Sequence, residues 1–349
     1  MQSPWEFPDF DDHEVVHFVF DAKTGLKAII AVHSTHLGPG AGGTRFWHYA
    51  DQGTAITDAL RLSRGMSFKN AMAGLPMGGG KAVVLADEAR TKTPEMLAAY
   101  GRAIDRLGGA YVTAEDVGIS VADLVEVAKH TRYISGLPVE SGSAGGDPGP
   151  YTSYGVYLGV RAAARRKLGK DSLSGLSVAI QGAGSVASGL ARRAAQDGAK
   201  VIIADIDQAK AQALADEVGG STIAPGEILT VEADILSPCA LGAILTEKSI
   251  AALNVAVVAG GANNQLATPA DGDRIHARGI LYAPDYVINA GGIINVASEY
   301  LGNGDEAFVN GKIEEIPGRL ETIWDESDST GLNPAAVADT MANRLIGRG

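Results

Sequence analysis

The sequence predicts an α/β chain of two domains, the second a parallel sheet covered by helices on both faces, and three observations predict it. At 349 residues the chain exceeds the size that one core usually serves. Past about residue 175, short apolar runs alternate with helical stretches, as strands alternate with crossover helices in a parallel sheet. Between the two halves lies SGSAGGDPGP, residues 141–150, which has Gly, Ser and Pro, no periodicity, and reads as a linker. The expected domains are 1–145, with 330–349 as a candidate addition, and 150–329.

In order along the chain, residues 15–33 read as a hairpin, with HFVF alternating before a turn at 21–25 and LKAIIAV after it. From about residue 54 the period becomes helical, with Ile56, Ala59, Leu60 and Ser63 on one face and Thr54 as the N-cap. Residues 81–85 form a short strand. Pro94 opens a helix whose buried stripe is Met96, Leu97, Tyr100, Ile104 and Leu107. Residues 111–113 are a strand, and Val121, Leu124, Val125 and Ala128 mark a helix. In the second half the strands are 177–181, 201–204, 233–236, 255–259 and 279–282, and the C-terminal stretch is helical.

Composition excludes several classes of function. A net charge of −12 argues against nucleic acid, which needs a basic surface. No apolar run approaches the ~18–20 residues that span a bilayer. The opening MQSPWEFPDFDDHE lacks the basic and apolar regions of a signal peptide, and one cysteine, Cys239, allows no internal disulfide. A cytoplasmic protein without metal or membrane partner is expected. The 45 glycines, clustered in apolar contexts, suggest tight turns and close approach of backbone to ligand.

SVAIQ runs into Gly182-Ala183-Gly184-Ser185-Val186-Ala187, a G-x-G-x-x-A dinucleotide fingerprint between a strand and a helix. The first Gly allows the turn and the second lets backbone approach the pyrophosphate. Ala187 permits close helix packing, and the helix N-terminus offers unpaired N–H groups to phosphate. Ala183 and Ser185 replace commoner residues without changing that backbone role. The next strand, VIIAD, ends in Asp205, placed to bond the adenosine ribose hydroxyls. Asp207 adds negative charge, and no Arg or Lys directly follows the strand, so NAD is expected rather than NADP. The second domain is therefore expected to be a Rossmann doubly wound dinucleotide-binding domain. Cys239 and Ala240, in SPCAL after a strand, are placed beside the cofactor. Cys239 reads as a packed residue, since no base is poised to activate it.

The first domain holds Lys69 in GMSFKNAMAG and Lys81 in GLPMGGGKAVV, both among small and apolar residues. One such lysine usually snorkels to solvent. Two, joined by a Gly-rich turn and followed by Glu115-Asp116 at a strand end, point to a cationic pocket with a carboxylate.

GPGAGGTR (38–45), the two lysine segments, TAEDVGI (113–119) and YAPDYVINAGGIINVA (282–297) resemble the leucine and phenylalanine dehydrogenase family, within the wider Glu/Leu/Phe/Val dehydrogenases. The likeness runs from about residue 15 to about residue 300. GLPMGGGK is nearer some phenylalanine dehydrogenases, whereas GDPGPYTSYGVY and INAGGIINVA are nearer leucine and valine dehydrogenases. The segment from Gly302 to Pro317 diverges. The resemblance implies an N-terminal α/β substrate domain that also serves oligomerisation, and reversible oxidative deamination of an apolar L-amino acid to a 2-oxo acid and ammonia.

It also implies roles. Lys69 pairs with the substrate carboxylate, and Lys81, its pKa depressed by burial and by Lys69, is the general base toward water. Asp116 exchanges protons with the amino group. Backbone N–H groups of Gly42 and Gly43 help hold the substrate, and Asn289 binds near its carboxylate. Asn264 holds the nicotinamide carboxamide with Thr152 nearby, Asn263 being the nearest alternative. Ala41, Ala114, Ile293 and Val296 line the side-chain pocket. All four are apolar, so a glutamate side chain has no partner there. Ala41 stands where leucine-specific relatives often have Leu, which leaves room for aromatic or extended aliphatic groups. Relatives form dimers to octamers, so a homo-oligomer is expected. Valine, tryptophan or a modified apolar amino acid are alternative substrates, and a non-catalytic NAD-binding regulatory protein is the alternative of another class.

Overall fold

The computed structural model describes residues 3–138, 144–302 and 304–348. These fall into two compact units, Met1–Gly146 with Asn295–Val309 and Ala342–Gly349, and Asp147–Ile294 with Asn310–Met341. Of the linker read at 141–150, residues 141–143 lie outside the described residues.

The first unit runs β1 (Val15–Asp21), β2 (Leu26–Ser34), β3 (Gly40–Trp47), α1 (Gln52–Met72), β4 (Gly78–Leu85), α2 (Pro94–Asp105), β5 (Tyr111–Ala114) and α3 (Val121–Ala128). Its sheet has the order β1-β2-β4-β3-β5. β1 and β2 form the expected hairpin and β2 pairs antiparallel with β4, while β3 is parallel to both β4 and β5. Side chains alternate along each strand, so the sheet has two cores. Ala82, Val84, Tyr111 and Ile30 pack under α2 and α3, and Val83, Ile29 and Ala31 pack under α1 with Ala55, Ala59 and Leu60.

Three local expectations change. β4 starts at Gly78, three residues before the apolar run, and pairs with a strand at 40–47, for which the sequence had indicated no element. The N-cap of α1 is Asp51, whose carboxylate accepts from Thr54 N at 2.8 Å; Thr54 sits one turn inside and its hydroxyl donates back to Asp51. The C-terminal glycine residues of the lysine segment are close to another chain segment rather than to a ligand: a Cβ on Gly79 would lie 2.1 Å from Ser67 N in α1, and one on Gly80 would lie 2.6 Å from the Tyr111 ring.

The second unit begins with α4 (Gly149–Leu168) and alternates β6 (Ser177–Gln181), α5 (Ser185–Gln196), β7 (Lys200–Ala204), α6 (Gln208–Val218), β8 (Ser221–Thr222), β9 (Ile235–Pro238), α7 (Glu247–Ala252), β10 (Val257–Val258), α8 (Pro269–Ala277) and β11 (Leu281–Tyr282). Short α9 (Asp285–Ile288) follows, and the chain continues with α10 (Gly291–Tyr300), α11 (Glu306–Ile313), α12 (Ile316–Thr330) and α13 (Pro334–Leu345), of which α10, α11 and α13 are divided between the two units. The sheet order is β11-β10-β9-β6-β7-β8, and every pairing recorded in it is parallel, as predicted. Its last strands are shorter than the sequence pattern suggested, because the apolar runs around them continue into turns.

Candidate active site

In the first unit Lys81 is buried, 7% exposed, in the middle of β4, and its ammonium bonds the Asp116 carboxylate beyond the end of β5. Arg45 on β3 adds a second cation, its Nε 3.6 Å from the same Asp116 oxygen. The β3–β4 register, Arg45 opposite Val83, places Arg45 and Lys81 on the same face of the sheet. Arg45 in turn pairs with Asp58 of α1 at 2.8 Å, and Tyr49 and Arg61 donate to that carboxylate. Sequence reasoning missed Arg45 and Asp58. Arg45 lay inside a quoted motif, but only strand pairing shows its neighbour.

Burial pulls the Lys81 ammonium below its ordinary range; Asp116 opposes this, and Arg45 adds to it. Arg45 is a repelling cation that the sequence did not reveal. Burial pushes Asp116 upward, but Lys81 and Arg45 outweigh it and its carboxyl stays below the usual value. The pair is thus a carboxylate beside an amine that gives up its proton more readily than an exposed lysine. Lys69 is half-buried in the last turn of α1, in a helix rather than in the glycine turn. Ala41 is buried on β3, and Ala114 is half-buried, its Cα opposite Gly43 in the β3–β5 ladder.

In the second unit the fingerprint turn follows β6. Gly182 has φ +108°, a conformation that L side chains rarely adopt. α5 starts after Gly184 with no side-chain cap, and a Cβ on Gly184 would meet nothing within 4 Å. Uncapped helix N–H groups facing open space fit a dinucleotide pyrophosphate. Asp205 directly follows β7; one of its oxygens accepts from Ala183 N at 2.7 Å and the other from Asp207 N. The carboxylate therefore also ties the turn in place. Ser185 and Val186 open α5, and Ala187 is fully buried behind it.

Cys239 Sγ accepts from Gly261 N at 3.4 Å, and burial pushes its thiol up, so it is no thiolate nucleophile. Ala240 is exposed beside it. Asn264 is exposed with φ +52°, an uncommon conformation for a side-chain-bearing residue that clusters at binding sites. Asn263 is instead held by Asn289, whose amide donates to Asn263 Oδ1 at 2.7 Å and to the Gly261 carbonyl. Thr152 donates to the Pro148 carbonyl within α4. Ile293 and Val296 are one helical turn apart on α10. Among the described residues no cluster of three metal-ligating side chains occurs, and no helix is long and apolar enough to cross a membrane.

Family models of known proteins match most of the chain. The dimerisation-domain model of the Glu/Leu/Phe/Val dehydrogenases matches residues 13–133, and the Glutamate/Leucine/Phenylalanine/Valine dehydrogenase model matches residues 142–209 and 203–340. A leucine dehydrogenase of Geobacillus stearothermophilus is 47% identical over 96% of this chain and 91% of its own length. A valine dehydrogenase of Streptomyces albus is 45% identical over 97% and 93%. The crystal structure of L-tryptophan dehydrogenase from Nostoc punctiforme superposes with a TM-score of 0.85 at 38% identity, covering 96% of each chain. Fold, site and relatives define an amino-acid dehydrogenase, an oxidoreductase. The chain belongs to the Glu/Leu/Phe/Val dehydrogenase family, as its motifs had implied.

Proposed function

We propose that the chain catalyses the NAD-dependent, reversible oxidative deamination of an apolar L-amino acid of the leucine or phenylalanine type. The observation that carries the reading is the buried Lys81–Asp116 pair with Arg45 beside it. Lys69 holds the substrate carboxylate, with help from the amides of Gly42 and Gly43 on β3. Bound NAD would supply the acceptor for the hydride that leaves the substrate Cα. Lys81, as the free amine, takes a proton from the water that adds to the resulting imino acid. Asp116, hydrogen-bonded to Lys81, exchanges protons with the nitrogen that leaves as ammonia. Arg45 keeps Asp116 ionised while this happens.

The preference for NAD rests on Asp205 and on the state of the nearby cations. Arg192 is paired with Glu217 at 2.6 Å and Lys210 with Asp207 at 3.6 Å, which leaves Asp205 to meet the ribose. The apolar side-chain contacts are assigned to Ala41, Ala114 and Val296 in the first unit and to Ile293 in the second, and the carboxamide contact to Asn264. Asn289 acts in this reading through Asn263, since its amide hydrogens are committed there and to Gly261. A homo-oligomer is part of the proposal. β1 is an edge strand with Phe18 53% and Phe20 69% exposed, a surface suited to pairing with a second copy. A cytoplasmic location is part of the proposal, in keeping with a single cysteine that is free and half-buried.

Reductive amination of 2-oxo acids of increasing side-chain size, with ammonia and NADH, tests the reading. Ammonia-dependent turnover is expected with branched aliphatic or aromatic 2-oxo acids and not with 2-oxoglutarate. Turnover independent of ammonia, or a preference for 2-oxoglutarate, would overturn it.

A further inference from the structure

Beside Lys81 the first unit leaves one buried donor unused. Arg45 Nε is enclosed and, among the described residues, has no hydrogen-bond partner. Such an orphaned donor is rare in a folded chain and asks for a reason. It faces Asp116 Oδ2 at 3.6 Å, longer than the ~2.9 Å of an ordinary N–H···O bond. That oxygen is already held by Lys81, while Asp116 Oδ1 accepts from Val117 N at 2.7 Å. The other end of the guanidinium is fixed, because Arg45 Nη1 donates to Asp58 Oδ2 of α1 at 2.8 Å.

Asp58 is itself held in place. The Tyr49 hydroxyl donates to the same oxygen at 2.9 Å, and Arg61 donates to the other through Nε at 3.0 Å and Nη2 at 2.9 Å. Burial pushes the Asp58 carboxyl up, but Arg61, Tyr49 and Arg45 outweigh it and it stays below the usual carboxylate range. Burial, with Asp58 beside it, pushes the Tyr49 phenol up, so that hydroxyl keeps the proton it donates. An arginine without this anchor would turn its fork of donors onto Asp116, the other carboxylate it faces, and compete with Lys81 for it. The charges that act on Lys81 come from three elements: Asp116 beyond β5, Arg45 on β3 and Asp58 on α1, with Lys69 further along that helix. On its other side β2 sets Ala31 opposite Lys81.

We propose that Asp58 is a positioning residue for the reaction: it anchors Arg45 so that the unused Nε–H stands beside Asp116 while Lys81 remains the first partner of that carboxylate. When Lys81 gives up its proton, Asp116 keeps its negative charge because the Arg45 Nε–H is within reach, and a small movement closes the 3.6 Å gap. Asp58 works only through Arg45. The inference rests on the reading that Lys81 and Asp116 form the chemical centre, and it adds to that centre a residue of α1.

Steady-state kinetics across pH, in the full-length enzyme with its best amino acid and NAD, test it in Asp58→Asn, Arg45→Gln and the double variant. Asp58→Asn is expected to lower kcat about tenfold, the effect of one lost charged hydrogen bond, with both KM values within about twofold. The rising limb of kcat/KM should move to lower pH by about one pH unit, since Arg45 then acts on Lys81 unbalanced. Arg45→Gln should move the limb the other way, because a cation that opposes the ammonium is gone. In the Arg45→Gln background Asp58→Asn should lower kcat less than about twofold further, because the anchor has nothing left to hold. A wild-type kcat and limb in Asp58→Asn, or the same tenfold loss in both backgrounds, overturns the proposal. If Asp58→Asn does not fold, the Arg45 signals of wild-type protein labelled with 15N-arginine, assigned by their absence in Arg45→Lys, decide. The terminal NH2 signals should be separate, because Asp58 stops their rotation, and Nε should shift over the pH range of the rising limb. Averaged NH2 signals, or a constant Nε, overturn it. Lys81→Ala separates the two failures. If it loses turnover while Asp58→Asn does not, only the positioning role falls; if Lys81→Ala keeps turnover, the reading of the chemical centre falls with it.

Discussion

Gly79→Ala perturbs the seam between helix and strand on which the placement of both lysines depends. A Cβ at this position lies 2.1 Å from Ser67 N, 2.2 Å from Ser67 Oγ and 2.5 Å from the Ser63 carbonyl. Two of those atoms are backbone of α1, so the helix itself has to give way. Restoring ordinary contact moves α1 off β4 by about 1.3 Å, an overpacking that costs about 1–3 kcal/mol. Lys69 follows Ser67 by two residues on the same helix, so the movement displaces its ammonium too, and a misplacement of about 1 Å in a reacting site can cost ~100-fold. Gly65→Ala is the matched change. It lies on α1 as well, but its Cβ meets nothing within 4 Å. Removing a glycine from mid-helix should stabilise by about 0.5–1 kcal/mol. Thermal midpoints together with KM and kcat for the amino acid read both variants. Gly79→Ala is expected to melt earlier and to raise the amino-acid KM at least tenfold, while Gly65→Ala keeps the kinetics and melts no earlier than wild type. A Gly79→Ala protein with wild-type midpoint and KM would refute the argument that this glycine lets the helix lie against the strand.

Three further outcomes follow from charges. The rising limb of kcat/KM for amino-acid oxidation reports Lys81 losing its proton. Since Asp116 holds that proton on, Asp116→Asn should move the limb to lower pH while reducing the rate; a limb that stays or moves upward contradicts the assignment. His33 is wholly buried, and burial followed by Arg348 pulls it down to about 4 from 6.5. The unfolded chain then takes up the proton first, so stability is complete above about 6.5 and falls by up to ~3 kcal/mol as the pH drops to about 4. His33→Asn should flatten that slope in denaturation series, and an unaltered slope contradicts the account. Asp205→Ser should raise the ratio of kcat/KM for NADP over NAD at least tenfold, because the carboxylate that repels a 2′-phosphate is gone. No change in that ratio would place cofactor choice elsewhere.

Much of the fold was legible because periodicity carries it. The hairpin 15–33, the face Ile56-Ala59-Leu60-Ser63 and the strand-helix alternation after residue 175 all match observed elements. β3 was not legible, since GAGG offers no side-chain alternation, and its strand character comes from pairing with β4 and β5. The cap of α1 was misread because both Asp51 and Thr54 are good N-caps, and only backbone geometry separates them. In the site, Lys81 and Asp116 were found from their setting and are joined in the structure. Arg45 was not, because its proximity to Asp116 comes from strand order, which the sequence does not display. The glycines were read as making room for ligand. At Gly79 and Gly80 they make room for a helix and for an aromatic ring, which local sequence cannot distinguish from ligand.

The base assignment is tested most directly by the turnover of Lys81→Ala with its best amino acid at saturating NAD. Loss of a positioned general base predicts a kcat about 10³-fold lower, with the amino-acid KM within a few-fold of wild type because Lys69 still holds the carboxylate. A variant that retains near-normal kcat would show that the proton is taken elsewhere and that the buried Lys81–Asp116 pair is not the chemical centre.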